Sequence, residues 1–75
     1  MGRLTETQAR IVLALAENGR NVQAAAAAAH YSRSTVEYHL RRIQERTGLN
    51  PRDFYDLQNL VKMARATLGE EAEHD

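Results

Sequence analysis

The sequence predicts an all-α fold of four helices, and three observations carry that reading. Apolar residues recur at spacings of three and four in separate segments, the period of one helix face. Residues with N-cap chemistry stand just before those segments. The single Pro and three of the four Gly fall where helices start or stop. No segment reads as a strand.

The first helix is expected over residues 5–18. Thr5 is a good N-cap, and Gln8 three residues later completes a capping-box pattern. Leu4, Ile11, Val12 and Leu15 supply one stripe; Leu13 falls off it. Gly19 closes the helix.

The second helix is expected over residues 22–30, with Asn21 as N-cap. Its body is six consecutive alanines, Ala24 to Ala29. Alanine has the highest helix propensity, and its small side chain lets another helix approach closely. The run is either a low-complexity helical stretch or a short helix packed tightly under another.

The third helix is expected over residues 33–47, with Ser32 as N-cap and Gly48 as its stop. Val36, Leu40 and Ile43 share one face. Arg33, Glu37, Tyr38, Arg41, Arg42, Glu45 and Arg46 occupy the rest.

The fourth helix is expected to begin at Pro51 behind an Asn50 cap, since proline at the first helical position lacks an N–H where none is needed. Phe54, Leu57, Val61, Ala64 and Leu68 form its stripe, widened by Leu60 and Met63. Gly69 is expected to stop it, leaving residues 70–75 as a solvated acidic tail. The domain is therefore expected over residues 1–68 and the tail over 69–75.

Composition bounds the function. A chain of 75 residues makes one domain at most and buries only about 60% of its unfolded surface. Twelve of its apolar residues are alanine, so the core is thin. The absence of cysteine excludes disulfides and Cys-based zinc sites. Apolar runs fall far short of the roughly 18 residues of a membrane span. Arg3, Glu6 and Arg10 interrupt any signal-peptide core, so a cytoplasmic location is expected. Catalysis is not expected. No Cys or Ser stands with His and Asp in a nucleophile arrangement, there is no glycine-rich phosphate loop, and the three histidines lack metal-ligand spacing on one face. No cofactor and no small-molecule effector is legible.

Residues 21–50 hold the informative pattern of short helix, brief turn, longer helix. The turn, about His30 to Ser32, is too short for antiparallel packing and suits the steeply crossed pair of a helix-turn-helix, motif residues 21–48. Ala25 and Ala29 are expected to face Val36 and Leu40, with Tyr31 at the corner. His30 stands where many such turns use glycine and is read as a structural turn residue.

The run NVQAAAAAAHYSRSTVEYHLRRIQERTGLN resembles the C-terminal helix-turn-helix of the PucR family of bacterial transcription regulators. Asn21, Val22, Ala25, Ala26, Ala28, His30, Arg33, Thr35, Tyr38, Leu40, Arg41, Arg42, Ile43, Glu45, Thr47, Gly48 and Leu49 carry the resemblance. Val36 stands at an aliphatic position, and Arg52, Asp53 and Asp56 fit the segment that follows. The layout is also similar to the DNA-binding end of Fis-type proteins. The resemblance covers about residues 21–60. It implies a double-stranded DNA-binding domain, acting in transcription regulation, whose third helix enters the major groove. Family members carry this domain at the end of longer chains with sensory regions. Ser32, Ser34, Glu37 and His39 depart from the family by replacing bulkier or more basic residues.

Side-chain chemistry orders the candidates. Recognition helices present their N-terminal side chains to base edges, here Arg33, Ser34, Glu37 and Tyr38. Arg33 suits a guanine, whose O6 and N7 match its fork. Glu37 can accept from a cytosine amino group or repel phosphate. Tyr38 either covers the core edge or touches DNA. Thr35, Arg41 and Arg42 are better placed for the backbone. Arg20 and Asn21, at the start of the second helix, offer a further phosphate contact. The plainer alternative is a solvated face, with Arg41, Arg42 and Arg46 paired to Glu37 and Glu45.

The zero net charge hides a segregation. Residues 20–46 carry five arginines against two glutamates, a net +3, residues 47–68 carry +1, and residues 69–75 carry −4. A lone domain makes few phosphate contacts, and Leu13, Leu60 and Met63 exceed the stripes a monomer needs. A homodimer built from the first and fourth helices is therefore expected.

Overall fold

The computed structural model describes residues 3–72, with side chains described through Gly69. Four helices are present: α1 Glu6–Glu17, α2 Val22–Ala29, α3 Arg33–Thr47 and α4 Phe54–Ala72. Among the described residues there is no strand. The all-α, four-helix reading holds.

α1 is the central element. It packs on α2, α3 and α4, while α2 also packs on α3. This placement explains why its buried set is wider than one stripe. Gln8, Ala9, Ile11, Val12, Ala14 and Leu15 are all buried, covering more than half of the circumference. The capping box forms as expected, with the Gln8 N–H donating to Thr5 Oγ1 and the Thr5 N–H to Gln8 Oε1, both at 3.1 Å. That second bond satisfies the carboxamide oxygen of Gln8, the one buried polar residue among the described residues, whose burial would otherwise be costly. At the other end the Arg20 N–H reaches the Leu15 carbonyl at 2.8 Å, and Gly19 takes the left-handed φ of 63° that this closure needs.

α2 has only eight residues, too few to persist alone. Packing holds it. Ala25 is fully buried and Ala26 nearly so, whereas Ala27 and Ala28 face outward. The alanine run is thus a tightly packed short helix, with one face buried because it is small. It ends at His30, whose φ of 63° is left-handed. The His30 N–H bonds the Ala27 carbonyl at 3.3 Å and the Tyr31 N–H bonds the Ala26 carbonyl at 2.9 Å, so the turn closes as a double-bonded helix stop. His30 is a structural turn residue, as expected.

α3 has the expected bounds. Val36, Leu40 and Ile43 are its buried face, and Gly48 ends it at φ 76°.

The fourth helix differs from expectation at both ends. It begins at Phe54, three residues after Pro51. Two cap residues compete in this stretch, and Asp53 wins. Its carboxylate accepts from the Asp56 N–H at 2.9 Å, and its carbonyl accepts from the Leu57 N–H at 2.8 Å. Asn50 instead folds a turn, its side chain accepting from the Arg52 N–H and its carbonyl from the Asp53 N–H, each at 3.0 Å. Pro51 is fully buried and anchors that turn. At the far end the helix passes through Gly69 to Ala72, so Gly69 does not stop it. Leu68, packed on the core, precedes this stretch, and one helical glycine costs only about 1 kcal/mol relative to alanine. The acidic side chains Glu70, Glu71, Glu73 and Asp75 lie outside the described residues.

The apolar stripe of α4 is rotated from the expected one. Leu57, Leu60 and Ala64 are buried, Val61, Met63 and Leu68 lie partly against the core, and Phe54 is 50% exposed. Leu60 is therefore a core residue, and Leu13 and Met63 also pack on the core. The expectation that Leu60 exceeds what a monomer needs is corrected, since the chain buries it fully; Leu13 and Met63 are only partly buried.

Candidate nucleic-acid interface

The three helices around the turn create the interface. α1 carries the α2–α3 pair, and the buried face of α3 leaves its opposite face in solvent. Ser34, Tyr38, Arg41 and Arg42 are exposed there, and Arg33, at the edge of that face on the first turn, is exposed too. Their carrier starts at a firm cap: the Thr35 N–H donates to Ser32 Oγ at 3.1 Å, and the Ser32 hydroxyl donates to Thr35 Oγ1 at 2.8 Å. Thr35 is half-buried, with its hydroxyl already engaged by the cap.

Arg33 is paired. Its Nε donates to Glu37 Oε2 at 3.2 Å, one turn along the helix. Arg42 lies 3.8 Å from Glu45, an exposed and loose pair. Arg41 has no ion-pair partner among the described residues. Of the pairs in the solvated-face alternative, Arg42–Glu45 is present, while Glu37 turns to Arg33. Tyr38 is 52% exposed, with its ring edge-on to His39 at 5.3 Å. His39 is half-buried, and its Nδ1 is enclosed without a hydrogen-bond partner among the described residues.

The start of α2 flanks this face. Asn21 caps the helix, its Oδ1 accepting from the Ala24 N–H at 2.9 Å. Arg20 has a left-handed φ of 65°. Its guanidinium sits 5.7 Å from the centre of the Phe54 ring and donates to the Arg52 carbonyl at 3.4 Å. Arg20 thus leans toward the α3–α4 turn.

From the sequence, Arg52 is expected inside the fourth helix, with no role at the interface. It stands on the turn after α3, where it lines a cleft with Glu37, Leu40, Arg41, Gln44, Asn50 and Pro51. The available signal was the net +1 of residues 47–68, which had no assigned place.

A short capped helix, a left-handed turn and a longer helix with a basic outer face define a helix-turn-helix domain of the DNA-binding kind. Comparison with family models matches residues 8–66 to the PucR C-terminal helix-turn-helix domain, and the chain belongs to that family. The match extends beyond the motif to take in most of α1 and α4. Membership implies DNA binding in transcription regulation, and such regulator domains are typically non-enzymatic. No curated protein and no solved structure matches the chain. Among the described residues, no helix is long and apolar enough to cross a membrane.

Proposed function

We propose that the chain binds double-stranded DNA sequence-specifically, as a cytoplasmic transcription regulator, with α3 in the major groove. The observation that carries this reading is the exposed row on α3, Arg33, Ser34, Tyr38 and Arg41, on a helix whose other face is locked into the core. Arg33 is the base reader, Ser34 and Tyr38 border it, and Glu37 sets its direction. Arg41 and Arg42 contact phosphates, and Thr35, Arg20 and Asn21 frame the edges of the interface. Phosphate contacts position the helix, and base contacts discriminate.

Two chains acting together belong to the same reading. One copy reaches few phosphates, and a symmetric pair doubles the number and sets half-site spacing. Leu60 lies in the monomer core, so the support for pairing is this contact number together with the partly exposed Leu13 and Met63. A sedimentation mass of one chain at micromolar concentration, with and without DNA, removes the dimer.

Charge segregation further supports competition between the acidic C-terminal segment and DNA for the basic face. Deleting residues 69–75 then tightens DNA binding at low salt; an unchanged affinity removes the competition.

Selection from random duplex DNA, followed by binding of the winner and a scrambled duplex across a salt series, tests the function. A specific regulator yields a motif, a steep salt slope and a large affinity ratio. An architectural DNA binder yields the slope without the ratio, and a protein-interaction module yields neither. Arg33→Ala loses discrimination at one base pair, and Arg42→Ala weakens all sequences alike.

A further inference from the structure

We infer that the cleft between α3 and the α3–α4 turn, lined by Arg41 and Arg52, is a seat for the DNA phosphate backbone. The inference rests on the DNA-binding reading above and adds a second contact surface to α3. The cleft has a volume of about 360 Å3 and opens beside the outer face of α3. Its two arginines come from different elements, and among the described residues neither has an ion-pair partner. Glu37 also lines the cleft, but its carboxylate is held by Arg33. Two arginines that line one cleft from different elements suit a phosphodiester, whose oxygens arginine binds through paired N–H donors.

The turn that carries Arg52 is stiff. The Asn50 N–H donates to Asp56 Oδ2 and the Arg52 N–H donates to Asn50 Oδ1, both at 3.0 Å. Pro51 is buried beneath it. Arg20 adds a bond to the Arg52 carbonyl at 3.4 Å. Arg52 is therefore presented from a fixed backbone, and little ordering remains to be done when a phosphate arrives. Arg20, at the start of α2, prolongs the basic strip away from α3.

Anisotropy of the full chain on a labelled duplex, between about 50 and 200 mM salt, tests the seat. Each phosphate contact contributes about 0.9 to the slope of log affinity against log salt. Arg52→Ala is expected to lower the slope by that amount and to weaken matched and scrambled duplexes by the same factor. Arg52→Gln, which keeps the stem and the turn, does the same, while Arg52→Lys keeps the slope. Combining Arg52→Ala with Arg41→Ala lowers it by about twice as much. Arg65→Ala, an exposed arginine on α4 away from the cleft, serves as the comparison. Equal slopes for Arg52→Ala and Arg65→Ala overturn the seat while leaving DNA binding in place. A wild-type chain that binds no duplex at any salt overturns the DNA-binding reading and the seat together.

Discussion

Arg33 and Glu37 form an ion pair along the first turns of α3, with the guanidinium Nε donating to the carboxylate at 3.2 Å. Both side chains are substantially exposed, so the pair contributes at most about 0.5 kcal/mol to the helix. Its consequence is directional. In the proposed reading, the pair holds Arg33 along α3 and leaves the rest of its guanidinium for a base. Glu37→Gln frees Arg33 and removes a charge that repels phosphate. Thermal stability is expected to change by less than about 0.5 kcal/mol. Affinity for scrambled duplex rises, and the ratio of matched to scrambled affinity falls. Competition binding at fixed salt measures both. A Glu37→Gln chain with an unchanged ratio shows that the carboxylate does not orient the reader.

Ala25 is fully buried where α2 meets its neighbours, and Ala27, two residues on, is exposed. A larger side chain at Ala25 must push the short helix away. Ala25→Leu is expected to destabilise the fold by about 1–3 kcal/mol through overpacking, and to weaken DNA binding because α2 helps to aim α3. Ala27→Leu stays within about 0.5 kcal/mol of wild type. Urea denaturation of the two variants checks the contrast. Equal losses mean that helix propensity, not closeness of packing, sets the need for alanine.

The contrast between neighbouring alanines also bears on what could be read from sequence. Helices α2 and α3 were legible because their boundaries are local: Asn21, Ser32 and Gly48 act on backbone groups within four residues. The start of α4 was not legible. Asn50 before Pro51 has the pattern of a cap and first turn, and only the burial of Pro51 decides for Asp53. Leu60 was misread for a similar reason. The stripe drawn through Phe54 and Leu57 is rotated from the face that meets α1, the helix on which α4 packs, and Leu60 lies on that face. On the interface, the exposure of the α3 row followed from its periodicity. The approach of Arg20 to Arg52 did not, since those residues are 32 apart and meet only through the packing of α1 on α4.

Two left-handed turns make opposite demands on their residues. His30 holds φ 63° with a side chain, and Gly48 holds φ 76° without one. A side chain in this region costs roughly 1–2 kcal/mol. His30→Gly is expected to stabilise the domain by about 1 kcal/mol, whereas Gly48→Ala destabilises it by about 1–2 kcal/mol. A Cβ at Gly48 meets nothing within 4 Å, so that loss is backbone strain and not a clash. Thermal melts of both variants read the opposite signs. A His30→Gly chain that melts lower than wild type means that the imidazole makes a contact which outweighs the backbone gain.

Gly69 sits inside α4, and a Cβ built there also meets nothing within 4 Å. Its backbone is helical, so the flexibility of glycine serves no turn. Alanine at this position loses less chain entropy on folding and keeps the helix hydrogen bonds. Gly69→Ala is expected to stabilise the domain by about 0.5–1 kcal/mol. The gain tests whether the last turns of α4 are part of the cooperative fold. If they are, the denaturation midpoint shifts upward by that amount. If the segment beyond Leu68 melts separately, helicity by circular dichroism rises at low temperature while the midpoint of the main transition stays fixed. The second outcome places the fold boundary at Leu68, the last of the described α4 residues that pack on the core.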